Sequence, residues 1–136
     1  MKRSLLAVLA VFFTFQAMGA LIHNVILMDS YEATAHLWRD PQDMNLPMMV
    51  LITLILSTLF VWIYIKLVAD KGTRQGLCYG FLLGLLMGIS MSYFYFFSPI
   101  PCSMALTWFL GCLVEFSLAG LWVGLIIKGD KEELAA

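Results

Sequence analysis

Four long apolar runs, 4–28, 48–69, 77–97 and 104–127, leave this chain few ways to fold. Each is close to the roughly 20 residues that a helix needs to cross a hydrocarbon core. In lipid every backbone N–H and C=O must be satisfied internally, which only helices and closed barrels achieve. The expected fold class is therefore all-α, an integral membrane four-helix bundle with a short extracytoplasmic interfacial helix. The spans use most of the 136 residues. Residues 1–136 are thus expected to form a single transmembrane domain with an outer loop at 29–47. The chain is 62% hydrophobic and 12% charged, against roughly 45–50% and about 25% for soluble domains. A net charge of −1 argues against nucleic acid as a partner.

The remaining charges give an expected orientation. Lys2 and Arg3 precede the first span, Lys66, Lys71 and Arg74 surround the second link, and Lys128 and Lys131 follow the fourth. The opposite side carries only Arg39. By the positive-inside rule both termini face the cytoplasm of a bacterial-type inner membrane. Lys2-Arg3, an apolar core and Ala17-Met18-Gly19-Ala20 also fit a cleavable signal peptide, which would leave three spans. The apolar character that continues through Leu21-Ile22 and Val25-Ile26-Leu27-Met28 favours a retained first span. Cys78 lies near the inner surface, Cys102 in the outer turn and Cys112 inside the fourth span. Cys102 and Cys112 are about 15 Å apart along a helix, so no intramolecular disulfide is expected.

Two stretches carry local signals. In the outer loop Asp29 or Ser30 is a candidate N-cap, Asp29 and Glu32 have capping-box spacing, and Asp40-Pro41 is a stop. Tyr31, Ala35 and Trp38 share one helical face there, which predicts a short helix lying flat with its aromatics at headgroup depth. Pro47 opens the second span where proline is tolerated. In the third span Gly76, Gly80, Gly84 and Gly88 recur every four residues, and Ser92 continues the stripe. A glycine costs about 1 kcal/mol against alanine in a helix interior, so a row of four implies close approach by another helix. The short turn Ser98–Ser103 makes the fourth span its antiparallel neighbour, and Gly111, Glu115 and Ala119 are the expected facing stripe, with Gly120 and Gly124 below. A seam between copies is the alternative.

Glu115 is the only formally charged residue well inside any apolar run. A carboxylate at the bilayer centre costs several kcal/mol unless it is neutralised, paired or wetted. Position within the spans puts Gln16, Ser57 and Thr58 at its depth, so the expected arrangement is an interhelical hydrogen-bonded cluster of Glu115, Gln16, Ser57 and Thr58. A protonatable site in a small transporter, or a contact with a partner subunit, are the competing readings. Gln16, Gly19, Ala20 and His23 fall on one face, and with Asn24, Glu32 and His36 they predict a polar stripe toward the outer surface. His23, His36, Cys102 and the nearby methionines are metal-compatible residue types, yet no HxxxH, CxxC or MxxM spacing fixes a geometry. No metal and no cofactor is expected. No Walker loop, GxSxG elbow or HExxH helix occurs, and Tyr93-Phe94-Tyr95-Phe96-Phe97 reads as an interfacial anchor.

In layout the chain resembles the small bacterial four-span membrane proteins grouped only as a family of unknown function. The likeness rests on Leu37-Trp38-Arg39-Asp40-Pro41, the short basic link and Gly76-Leu77-Cys78-Tyr79-Gly80-Phe81-Leu82-Leu83-Gly84. It implies no catalytic residues. Small multidrug transporters also combine four spans with one membrane glutamate, but theirs is in the first helix, where this chain has Gln16. The expected function is that of a non-enzymatic subunit or accessory protein of a membrane assembly, homo-oligomeric or part of a larger complex. A small proton-linked transporter or channel using Glu115 is the alternative.

Overall fold

A computed structural model describes residues 2–128. Among them there is no strand. The chain forms α1 (Lys2–Leu21), a wide π-helical turn (Ile22–Ile26), α2 (Met28–Ala33), α3 (Leu46–Leu67), α4 (Thr73–Ser92) and α5 (Cys102–Ile126). Single 3-10 turns occupy Ala35–Leu37, Pro41–Asp43 and Tyr93–Phe96. Four segments, Lys2–Ile26, Leu46–Leu67, Thr73–Phe96 and Cys102–Ile126, are long and apolar enough to cross a membrane.

The helices run up and down, so α1 and α4 point one way and α3 and α5 the other. Two apolar clusters mark the ends of the bundle. At one end Ala7, Val11, Phe15, Phe60, Val61, Tyr64, Phe116, Ala119 and Val123 pack together. At the other, Ile22, Leu27, Ile100, Met104, Ala105 and Trp108 do. Lys2, Arg3, Lys66, Lys71, Arg74 and Lys128 all lie toward the first end, by their positions at the starts and finishes of the helices. Lys131 lies outside the described residues.

The closest helix pair is α4 with α5. Gly76, Gly80, Gly84 and Gly88 are all buried, and what the first three meet most closely is backbone. A Cβ at Gly80 would run into the Phe116 carbonyl oxygen, and one at Gly76 into that of Gly120. At Gly84 it would stand 2.7 Å from the Cys112 carbonyl oxygen. The relation is reciprocal, since a Cβ at Gly120 would strike the Gly76 carbonyl. Removing the side chains lets two backbones approach to a distance that even alanine forbids. The α5 residues in this seam are Phe109, Cys112, Phe116, Gly120 and Gly124: the two lower glycines face α4 as expected, whereas Gly111, Glu115 and Ala119 are not among the residues the glycines meet. Gly111 instead faces Ile22, and Ala119 is buried with Ala7 and Val11 of α1. The expected stripe is displaced because α5 must serve α1 and α4 with two adjacent faces.

Helix α3 is the most peripheral and is tied in by two phenols. Tyr79 on α4 donates to the Phe60 carbonyl at 2.8 Å. Tyr64 donates to the Gly72 carbonyl at 3.1 Å and accepts from the Gly72 N–H at 3.0 Å, which pins the link into α4. At the other end of α3 the Asn45 carboxamide accepts from Met48 N–H at 3.1 Å, and proline occupies the first turn. These satisfied polar groups fix positions that apolar contact alone leaves free to slide.

The loop helix differs from expectation at both its limits. Helix α2 begins at Met28, preceded by Leu27 with no side-chain cap, so neither Asp29 nor Ser30 caps it. The π turn feeds directly into it, with Leu27 N–H bonded to Ile22 O at 2.9 Å and Tyr31 N–H to Leu27 O at 2.9 Å. Backbone continuity from the π turn, not a capping box, thus leads into α2. Asp40 does cap, but it caps the next turn, by accepting from Gln42 N–H at 2.8 Å.

Glycine-to-alanine substitutions should rank by what the new methyl meets. Gly80→Ala and Gly120→Ala place it on backbone and should cost about 2–3 kcal/mol or more. Gly88→Ala meets the Phe109 ring and carbonyl at 3.0 Å and should cost less. Gly19→Ala meets nothing within 4 Å and should stabilise α1 by up to about 1 kcal/mol. Thermal unfolding in mild detergent reads the order.

Candidate functional site

The residues with chemical potential fall in two places, the capped end of the bundle and the middle of α5. At the capped end the π turn redirects the chain so that α2 folds back over α5. Wide turns of this kind often sit at functional positions because they re-aim side chains. Here the turn carries His23, whose Nδ1 lies 2.7 Å from the Tyr31 hydroxyl. The same hydroxyl accepts from Trp108 Nε1–H at 3.2 Å. Beside it Trp38 Nε1–H donates to Thr34 Oγ1 at 2.8 Å, and Thr34 donates on to the Ser30 carbonyl at 2.7 Å. The rings close the arrangement edge to face, with Tyr31–Trp38 centroids 5.4 Å apart and Trp38–Trp108 6.2 Å apart. Tyr31 and Trp38 thus serve as a lid on α5, where the sequence placed them at headgroup depth.

Burial pushes the Tyr31 phenol above its ordinary value, with the Trp108 bond acting in the opposite direction. The phenol therefore keeps its proton at neutral pH. When His23 Nδ1 is unprotonated it accepts a hydrogen bond from the Tyr31 O–H. When the imidazole is doubly protonated, Nδ1–H must donate, and the Tyr31 oxygen accepts from both neighbours. The other members of the expected polar stripe do not join in. Asn24, Glu32 and His36 are exposed, and no side-chain hydrogen bond among the described residues links them to His23. No group of three or more His, Cys, Asp or Glu among the described residues is arranged to hold a metal ion. Cys78, Cys102 and Cys112 are free thiols.

At mid-depth the expected cluster is not assembled. Ser57 donates to the Thr53 carbonyl at 2.7 Å and Thr58 to the Leu54 carbonyl at 2.8 Å, each one turn back on its own helix. Ser57 is fully buried, whereas Thr58 is exposed on another face of α3. Gln16 and Glu115 are both partly buried, and among the described residues no hydrogen bond joins either to Ser57 or Thr58. A hydroxyl in a helix can always satisfy itself against the carbonyl four residues earlier. Equal depth alone does not make partners.

Two open grooves lie on the flanks of α4 and α5. One is lined by Ile89, Ser90, Ser92, Tyr93, Phe96 and Phe109. The other lies between Leu77 and Phe81 of α4 and Leu113–Leu121 of α5. Neither includes Glu115 or His23. The chain matches no protein-family model, and neither a curated protein nor a solved structure is similar to it.

Sequence reasoning singled out His23 but missed its bond to the Tyr31 hydroxyl and the Trp108 N–H that donates to that hydroxyl. It also missed Tyr64 and Tyr79. The available signal was chemical: a phenol or indole in an apolar environment needs a partner for its polar atom.

Tyr31→Phe should leave Trp108 Nε1–H without an acceptor and destabilise the capped end by about 1–2 kcal/mol. Adding Trp108→Phe should cost less than the sum of the two single changes, because both act on one network. Thermal unfolding monitored by tryptophan fluorescence measures both.

Proposed function

We propose that this chain is a small polytopic protein of a bacterial-type cytoplasmic membrane, with both termini on the cytoplasmic side, serving as a non-enzymatic subunit or accessory protein of a membrane assembly. Insertion is supported by the outward faces. Phe13, Ile52, Ile55, Trp62, Leu86 and Leu110 are each more than half exposed, and contiguous apolar surface of that kind needs lipid or protein to cover it. Orientation is supported by the six basic residues gathered at one end of the bundle, with Arg39 at the other. On this reading α2 and its lid lie at the outer membrane surface.

The observation that carries the subunit reading is Glu115. It stands halfway along α5, is partly buried, and makes no hydrogen bond with the other described residues. An intramembrane carboxyl is expected to find a partner, and this bundle does not supply one. The glycine stripe, the other candidate contact, is used up between α4 and α5. A proton-linked transporter would instead place Glu115 in a cavity or water path, and Glu115 does not line either of the two open grooves beside α5.

Native mass spectrometry of the gently solubilised full chain tests the reading. The expected result is co-purification of another protein at fixed stoichiometry. A solitary chain whose proteoliposomes pass protons, with the flux abolished by Glu115→Gln, overturns it.

A further inference from the structure

The α5 surface around Glu115 has a definite pattern. Gly111, Glu115, Leu118, Trp122 and Leu125 are spaced four, three, four and three residues apart. That is the a/d spacing of a helix seam that accepts one neighbouring helix at a shallow crossing angle. Extended backwards, the same seam includes Met104 and Trp108. There the chain fills it itself: Met104 is fully buried, Trp108 is covered by Tyr31 and Trp38, and Gly111 faces Ile22. Beyond Gly111 the cover stops. Leu118, Trp122 and Leu125 are 37%, 45% and 41% exposed. Glu115 stands at the point where the seam passes from filled to open.

Its chemistry limits what completes the seam. The described basic residues lie at helix ends or in links. Lys128, on the same strand of chain, is about 20 Å away along the helix axis at 1.5 Å per residue. The bundle therefore offers no cation at the depth of Glu115. A second copy in the same orientation offers none either, only another carboxyl or the amide of Gln16. A seam position occupied by one polar residue among apolar ones specifies its partner and register, and pairing with an ionisable side chain of opposite sign is one of the ways a carboxyl is accommodated in hydrocarbon.

We propose that the open half of this seam, Glu115–Leu118–Trp122–Leu125, receives a transmembrane helix of a second protein that carries a lysine or arginine at the depth of Glu115. This rests on the subunit reading above and names the class of partner. Leu118, Trp122 and Leu125 supply the apolar ledge, and Glu115 sets the register. The α1 contact on one side and the α4 contact on the other hold this face rigid, so little order is lost when the partner docks.

The test uses the full chain in native membranes, with a photo-crosslinking amino acid placed at Leu118 or, separately, at Ile55 on the exposed face of α3. The expected result is one dominant protein adduct from Leu118, to a chain with a basic residue in mid-span. Glu115→Gln lowers its yield about tenfold, equivalent to 1.4 kcal/mol, and leaves the Ile55 pattern and the melting temperature unchanged. Glu115→Lys abolishes the adduct, and changing the partner's basic residue to glutamate restores it. An adduct insensitive to Glu115→Gln, or one formed only with a second copy of this chain, overturns the proposal. Protein capture from Ile55 without capture from Leu118 also overturns it while leaving the subunit reading intact. Failure of both positions to capture any protein removes both.

Discussion

The contact between the backbones of α4 and α5 is the constraint on which the rest of this bundle depends. Four glycines at four-residue spacing remove one wall of α4, and Gly120 and Gly124 remove part of the facing wall of α5. Between helices in lipid there is no hydrophobic force to draw them together, so packing at this range supplies much of the association energy. It also fixes the rotation of α5. With Phe116, Gly120 and Gly124 turned toward α4, Ala119 and Val123 must meet α1, and the Glu115–Leu118–Trp122 line comes to the outer edge.

Polar groups then hold what apolar packing leaves loose. Tyr64 and Tyr79 attach α3 through backbone oxygens, and Tyr31 links His23 to Trp108 across the capped end. Each of these bonds is of modest net worth, roughly 1 kcal/mol. Their larger effect is on uniqueness, because an apolar helix can slide or rotate at little cost whereas an orphaned hydroxyl in hydrocarbon is penalised. The molecule is closed at the α4–α5 seam and at its capped end, and open along α3, along the outer face of α4 and along the lower half of α5.

What the sequence revealed follows from which forces are periodic. The four apolar runs and the glycine stripe repeat at helical intervals, so both were legible. On α5 the small residues Gly120 and Gly124 were legible, but the larger facing residues Phe109, Cys112 and Phe116 were not, since choosing them requires knowing how α5 divides its surface between α1 and α4. Tyr31 and Trp108 are 77 positions apart, and no local pattern announces that they meet. The expected Glu115–Gln16–Ser57–Thr58 cluster came from depth alone. It ignored direction, and it ignored the ease with which Ser57 and Thr58 satisfy themselves on their own helix. The capping box at Asp29 did not form because α2 starts one residue earlier, at Met28, directly from the π turn.

The most direct measurement of this architecture is solid-state NMR of the chain in lipid, with carbon-13-labelled glycine and labelled copies diluted among unlabelled ones. The expected result is a Cα–Cα cross-peak between Gly80 and Gly120 whose intensity per labelled chain does not change on dilution, as a seam within one chain requires. A cross-peak that disappears on dilution would place the glycine stripe between copies, and its absence at any dilution would remove the α4–α5 contact altogether.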